Sequence, residues 1–65
     1  MVIVNGRQVS NIEKMTLKDY LTREGYILSR IAVECNGEIL PREVYGEKQL
    51  QDGDSLEVIS FVGGG

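Results

Sequence analysis

The chain has 65 residues, of which 42% are apolar and 26% charged, and its net charge at neutral pH is −3. A chain of this length forms one domain with a thin core, and its apolar runs are too short to span a bilayer. The negative charge argues against a nucleic-acid binder, which needs a basic surface. With no histidine and one cysteine, the chain cannot assemble a Cys–His pair, a structural zinc site or an internal disulfide. We therefore expect a cytoplasmic protein that is not an enzyme, holds no metal ion and binds neither nucleic acid nor membrane.

The first third of the chain predicts a hairpin followed by a helix. Two β-rich stretches in residues 1–10 flank Asn5-Gly6, and Asn-Gly is the strongest short signal for a type I′ turn. A short amphipathic helix follows between Met15 and Gly25, with Thr16 suited to cap its first turn and Gly25 suited to end it. The apolar positions on one face of this helix are Leu17, Tyr20 and Leu21.

The rest of the chain predicts three more strands, at residues 30–35, 38–40 and 55–62. Asn36-Gly37 supplies the turn between the first two, and Pro41 ends the second because proline cannot donate to a sheet ladder. Residues 42–50 have no clear period and predict a helical turn with a short edge strand. The first and last strands are rich in apolar residues and are expected to lie side by side in the middle of the sheet. The order ββαβββ, with one helix to cover one sheet face, is an α+β plan.

The last strand carries a candidate docking surface. Alternation predicts that Leu56 and Val58 face the helix, which leaves Ile59 and Phe61 on the uncovered face. We interpret Ile59, Phe61 and Val62 as a patch for a partner protein, because exposed apolar patches mark interaction sites. The alternative is that loops cover these side chains.

Three glycines, Gly63, Gly64 and Gly65, follow the domain predicted over residues 1–62. They are expected to form a flexible tail, for which two interpretations stay open: a frayed terminus, or a segment whose free carboxylate is the working group. Glycine has no Cβ to obstruct a narrow enzyme channel. Ordering three residues costs about 3–6 kcal/mol of backbone entropy, which would keep such a tail releasable.

Three segments together resemble the ThiS family of sulfur carrier proteins of thiamine (thiazole) biosynthesis: NGEILPRE at 36–43, DGDSLEVI at 52–59 and the terminal FVGGG. The resemblance covers nearly the whole chain. It implies a ubiquitin-like β-grasp fold, a mixed sheet with one main helix packed on one face. It also implies that Gly65 carries the acyl group and that Gly64 belongs to the paired-glycine terminus, while Gly63 is less informative.

The chemistry that the resemblance implies depends on partner proteins. A ThiF-like adenylyltransferase would use ATP to adenylate the Gly65 carboxylate, which then becomes a thiocarboxylate with sulfur from a cysteine desulfurase or another donor. A ThiG-like thiazole synthase would receive that sulfur. The chain itself would need no cofactor and no catalytic residue. Two other functions stay open: a molybdopterin-synthase small-subunit type of sulfur carrier, and a ubiquitin-like protein modifier or interaction module.

Other residues permit both a functional and a structural interpretation. Cys35 could relay sulfur, but it alternates with Ile31 and Val33 and is better explained as a small core residue. Arg42 could hold a partner's carboxylate, and is more simply a solvated surface charge. An acidic bias in the second half of the chain could steer the protein toward a basic partner or keep it soluble; the residues are Glu43, Glu47, Asp52, Asp54 and Glu57.

Overall fold

The computed structural model describes residues 1–61 of the chain. Its elements follow in the order β1 (Val2–Val4), β2 (Arg7–Val9), α1 (Leu17–Arg23), a 3₁₀ turn (Leu28–Arg30), β3 (Ile31–Cys35), β4 (Glu38–Ile39), a second 3₁₀ turn (Arg42–Val44) and β5 (Ser55–Ser60). The predictions made for Val62, Gly63, Gly64 and Gly65 fall outside the described residues.

The five strands form one mixed sheet in the order β2-β1-β5-β3-β4. β1 and β5 are parallel, with Val4 opposite Leu56, whereas β5 pairs with β3 in antiparallel fashion over five residue pairs from Ile31↔Ser60 to Cys35↔Leu56. The first and last strands are therefore adjacent, and β5 is the central strand. This confirms the predicted α+β class, the ββαβββ order and the mixed sheet.

Both hairpin turns adopt the backbone that their Asn-Gly sequences predict. Asn5 and Gly6 have φ values of 51° and 82°, and Asn36 and Gly37 have values of 52° and 89°, as a type I′ turn requires. The asparagine side chains also accept hydrogen bonds from the backbone of β5. The Val58 N–H donates to Asn5 Oδ1 over 2.7 Å, and the Ser55 N–H donates to Asn36 Oδ1 over 2.9 Å. The two turns thus hold β5 from both sides.

The helix α1 begins where its cap predicts. The Asp19 N–H donates to Thr16 Oγ1 over 3.1 Å, which satisfies one of the free N–H groups of the first turn. Gly25, with φ at +88°, follows the last turn in the left-handed conformation that ends many helices. Over residues 1–61, no helix has both the length and the apolar character needed to cross a membrane.

The core lies between α1 and one face of the sheet. The helix contributes Leu17, Tyr20 and Leu21, and the intervening segments contribute further apolar side chains. The buried hydrophobic residues are Val2, Val4, Ile12, Leu17, Tyr20, Leu21, Ile31, Val33, Cys35, Tyr45, Leu50 and Leu56. As predicted, Leu56 is buried on the helix side, and Val58 packs half-buried against the same cluster.

Element boundaries were less accurately predicted than the elements themselves. β5 ends at Ser60 instead of residue 62, and Arg30 belongs to a 3₁₀ turn that no sequence signal indicated. The helical turn predicted after Pro41 is present at Arg42–Val44. The edge strand predicted nearby is an isolated bridge between Thr16 and Gln49, because Leu50 turns into the core there.

Candidate functional site

The sheet face opposite α1 is the candidate docking surface. Residues alternate across a strand, so each core residue of β1, β3 and β5 is followed by one on the opposite side. We call this side the open face and define it by Ile3, Ala32, Glu34, Ile39, Glu57 and Ile59. Ala32 is paired with Ile59, and Glu34 is paired with both Glu57 and Ile39.

Four large apolar side chains at the open face and its tail end are exposed. The exposed fractions are 36% for Ile3, 62% for Ile39, 48% for Ile59 and 58% for Phe61. Single exposed apolar side chains are normal on a protein surface, but several of them on one side favour an interaction site. Ile59 and Phe61 are exposed as the sequence predicted, and no loop among residues 1–61 buries them.

A pair of like charges interrupts this apolar surface. Glu34 and Glu57 lie directly opposite each other on β3 and β5, an arrangement that destabilises a sheet slightly. Within residues 1–61 neither carboxylate forms an ion pair. The open face is therefore both apolar and negatively charged.

The backbone just beyond β5 is held by a hydrogen bond at Phe61, the last residue that the structure describes. The Phe61 N–H donates to the Arg30 carbonyl over 2.8 Å, which extends the β3–β5 pairing by one residue. Beside this bond lies an open depression of about 220 Å³, whose lining includes Tyr26, Ile27, Ser60 and Phe61. The chain thus leaves the described fold at a fixed point, at the end of the central strand and next to the open face.

Arg42 is an exposed charge, as the sequence suggested, but its guanidinium also binds backbone carbonyls of the chain. Its Nε donates to the Leu28 carbonyl over 2.8 Å, and its Nη2 donates to the carbonyls of Ser29 and Ile31 over 3.2 Å each. The side chain is surface-exposed, but its Nε and Nη2 atoms donate within the protein. The sequence gave no sign of this contact because the accepting carbonyls lie eleven to fourteen positions away.

Asp54 is the one acidic residue of the predicted acidic surface that is buried. Its carboxylate accepts from Asn36 Nδ2 over 3.0 Å and from the Gln51 N–H over 2.9 Å, and it pairs with Lys48 over 3.2 Å. Burial by itself would raise the pKa of Asp54, but these hydrogen bonds and the Lys48 ammonium outweigh it and hold the pKa below its ordinary value. Asp54 therefore fixes the last turn onto the Asn36 turn and does not steer partners.

Cys35 is a core residue, as the alternation predicted. Its side chain is buried next to Leu56, and burial raises the pKa of the thiol. A thiol relays sulfur as the thiolate, which this environment disfavours. Among residues 1–61 no cluster of three potential metal ligands is present.

We expect Cys35→Ala and Cys35→Val to fold and to leave any sulfur loading of the chain unchanged. The alanine variant removes one buried sulfur atom and should lower the free energy of unfolding by about 1 kcal/mol. Urea denaturation measures this loss, and intact mass measures the loading. A folded Cys35→Ala protein that no longer acquires sulfur would restore the relay hypothesis.

The comparisons with known proteins agree with this geometry. A family model described as the ThiS family matches residues 1–65. The chain belongs to the ThiS family. It is 36% identical over 66 residues to the sulfur carrier protein ThiS of Bacillus subtilis (strain 168), and the alignment covers the whole of both chains. A crystal structure of a thiamine biosynthesis protein (ThiS) from Geobacter metallireducens is 33% identical, with a TM-score of 0.77 and coverage of 98% of this chain and 97% of that one.

A second kind of relative is much longer. The chain is 36% identical over 64 residues to a thiazole synthase of Paramagnetospirillum magneticum, and 36% identical over 62 residues to one of Magnetococcus marinus. It spans only 20% and 19% of the lengths of these two proteins. A segment resembling this chain is thus found in proteins that bear the thiazole synthase name.

Proposed function

We propose that this ThiS-family chain is a sulfur carrier of thiamine biosynthesis and that the carboxylate of Gly65 is the group that carries sulfur. The observation that carries the proposal is the match to the ThiS family over residues 1–65, which includes the glycines. The exposed apolar face beside the end of β5 supports it, since a carrier must dock on its partners close to the reacting tail.

The proposed chemistry activates a poor electrophile. A carboxylate oxygen of Gly65 attacks the α-phosphorus of ATP on an adenylating partner, and pyrophosphate leaves. Hydrosulfide then attacks the acyl carbon and AMP leaves; if the donor instead supplies a persulfide, the acyl disulfide that forms is cleaved by a second thiol, which becomes part of a disulfide with the donor. In either case the net change in the chain is one oxygen replaced by sulfur. The chain supplies the acyl group and the docking surface, and the partners supply catalysis.

Three partners follow from this chemistry: a ThiF-like adenylyltransferase, a ThiG-like thiazole synthase, and a cysteine desulfurase or another sulfur donor. The relatives named thiazole synthase support the second of these, because a segment similar to this chain makes up about a fifth of their length. We propose the docking patch to be Ile59 of the open face and Phe61 just beyond the end of β5, followed in sequence by Val62.

The direct test is the intact mass of the chain after incubation with ATP, the adenylating partner and a sulfur source. The native chain should gain the mass that corresponds to exchange of one oxygen for sulfur, and the gain should require ATP. Addition of the thiazole synthase and its other substrates should return the chain to its original mass. An unchanged mass with a demonstrably active adenylating partner would rule out the carrier function.

The docking patch predicts the behaviour of Phe61→Glu. The side chain is 58% exposed, so a charge there should leave the fold intact, and it should weaken binding to the adenylating partner by at least about tenfold if Phe61 is a central contact. Calorimetry measures the affinity and circular dichroism the fold.

Thr22→Glu is the matched control for Phe61→Glu, because it adds the same charge at an exposed position of α1, away from the open face. It should bind as the native chain does. Unfolding of Phe61→Glu would show that Phe61 belongs to the core, and unchanged affinity would place the docking patch elsewhere.

A further inference from the structure

We propose that Arg42 is a positioning residue for the sulfur-carrying tail: by holding residues 28–31 it fixes the carbonyl to which the end of β5 is tied. This inference rests on the proposed sulfur-carrier function and adds to it a residue that lies outside both the tail and the open face. The chain of contacts runs from the core through Arg42 to Phe61.

Arg42 is itself anchored to the core. It follows Pro41, whose ring restricts φ and whose φ is −69°. The Tyr45 N–H donates to the Arg42 carbonyl over 3.1 Å, and the Tyr45 side chain is almost completely buried. The base of the Arg42 side chain therefore has a fixed position relative to the core.

The guanidinium binds around one residue, Arg30. It donates hydrogen bonds to the carbonyls of Leu28, Ser29 and Ile31, so the backbone is held on both sides of Arg30. The carbonyl of Arg30 accepts the Phe61 N–H over 2.8 Å. A planar group with several donors in fixed directions can hold three carbonyls at once, which a lysine ammonium on a flexible stem does not reproduce.

The Phe61–Arg30 bond is the last described contact before the glycines. Its position therefore sets the point from which the reacting carboxylate is delivered into a partner's active site. A displacement of about 1 Å at a reacting group can reduce a rate by two orders of magnitude. Loosening residues 28–31 should accordingly impair the chemical step more than the binding step, because the open face would remain intact.

The test compares Arg42→Ala and Arg42→Lys with the native chain as substrates of the adenylating partner, with Arg7→Ala as the control. Arg7 is an exposed arginine on β2, so the control removes the same charge without touching residues 28–31. For Arg42→Ala we expect kcat to fall about tenfold, while the KM for the carrier changes by no more than about twofold. Arg42→Lys should recover only part of the loss, and Arg7→Ala should behave as the native chain does.

The separation of kcat from KM distinguishes positioning from a general loss of structure. A variant that is partly unfolded presents a lower concentration of competent carrier, which raises its apparent KM and leaves kcat unchanged. Amide hydrogen exchange supplies a readout that needs no partner. Protection of the Phe61 N–H should fall about tenfold in Arg42→Ala, while protection in the centre of β3 and β5 stays the same.

Each outcome bears on the proposal separately from the carrier function. Adenylation of the native chain with an unchanged kcat for Arg42→Ala would overturn the inference and leave the carrier function standing. Unchanged protection of Phe61 would overturn it as well, and full recovery by Arg42→Lys would show that the three-carbonyl geometry is unnecessary. If the native chain is not adenylated at all, the carrier function fails and this inference fails with it.

Discussion

A chain extended by one alanine beyond Gly65 is expected to fold as the native chain does and to gain no sulfur. The added residue moves the free carboxylate out of register with the adenylating site, and the former terminal carboxylate becomes an unreactive amide. Gly64→Val should fail for a different reason, because a β-branched side chain enters a channel that we expect to be sized for glycine. We expect thiocarboxylate formation to drop below detection in both proteins.

Stability provides the control for these two variants. Glycine has no side chain to contribute to packing, and changes at chain termini are often tolerated, so we expect both proteins to have the urea midpoint of the native chain. A Gly64→Ala variant separates size from chemistry, because its single methyl group should slow loading without abolishing it. If the extended chain is loaded with sulfur as efficiently as the native one, Gly65 is not the sulfur site.

Asp54→Ala should destabilise the fold strongly, because Asp54 is the buried acidic residue of the last turn. The substitution removes a buried carboxylate and leaves Lys48, the Asn36 amide and the Gln51 N–H without their acceptor. The loss of the acceptor for these three groups should lower the free energy of unfolding by about 3 kcal/mol. Asp52→Ala is the matched control from the same turn, since the Asp52 side chain is 79% exposed and should lose much less.

The contribution of Asp54 should also depend on pH in a defined direction. Its pKa in the folded state lies below the ordinary value of 3.8, so the folded protein binds the proton more weakly than the unfolded chain does. The stabilisation is therefore fully present above the ordinary pKa and disappears as the pH falls through the folded-state pKa. Urea denaturation gives the free energy of unfolding of the native and Asp54→Ala proteins at each pH, and the difference between the two should shrink as the pH becomes acidic. A difference that stays the same at all pH values would mean that the carboxylate charge is not involved.

The elements with local signals were predictable from the sequence. Both Asn-Gly turns and the Thr16 cap depend on residues within a few positions of one another, and the structure reproduces them. The single helix also left only one face of the sheet to be covered. This made the exposure of Ile59 and Phe61 predictable before any coordinates were known.

What the sequence did not reveal are contacts between side chains and distant backbone. The bonds from Arg42 to residues 28–31, and those that Val58 and Ser55 donate to the turn asparagines, join segments that become neighbours only after the sheet has formed. The 3₁₀ turn at Leu28–Arg30 belongs to the same class, because Arg42 binds its backbone carbonyls in addition to the local bond from the Arg30 N–H to the Ile27 carbonyl. Tertiary contacts decide such features, and local propensity carries no signal for them.

The central place of β5 has a consequence for how the protein is made. β5 pairs with β1 from one end of the chain and with β3 from its middle, and Asn5 and Asn36 bind it from both sides. On the ribosome, the first 54 residues can form local hairpins and a helix, but they lack the strand that joins the two halves of the sheet. Long-range pairing of this kind comes late in folding. A nascent chain broken off before Ser55 should therefore stay unfolded and open to proteolysis, so that chains lacking the segment that leads to the glycines are removed before they can occupy a partner.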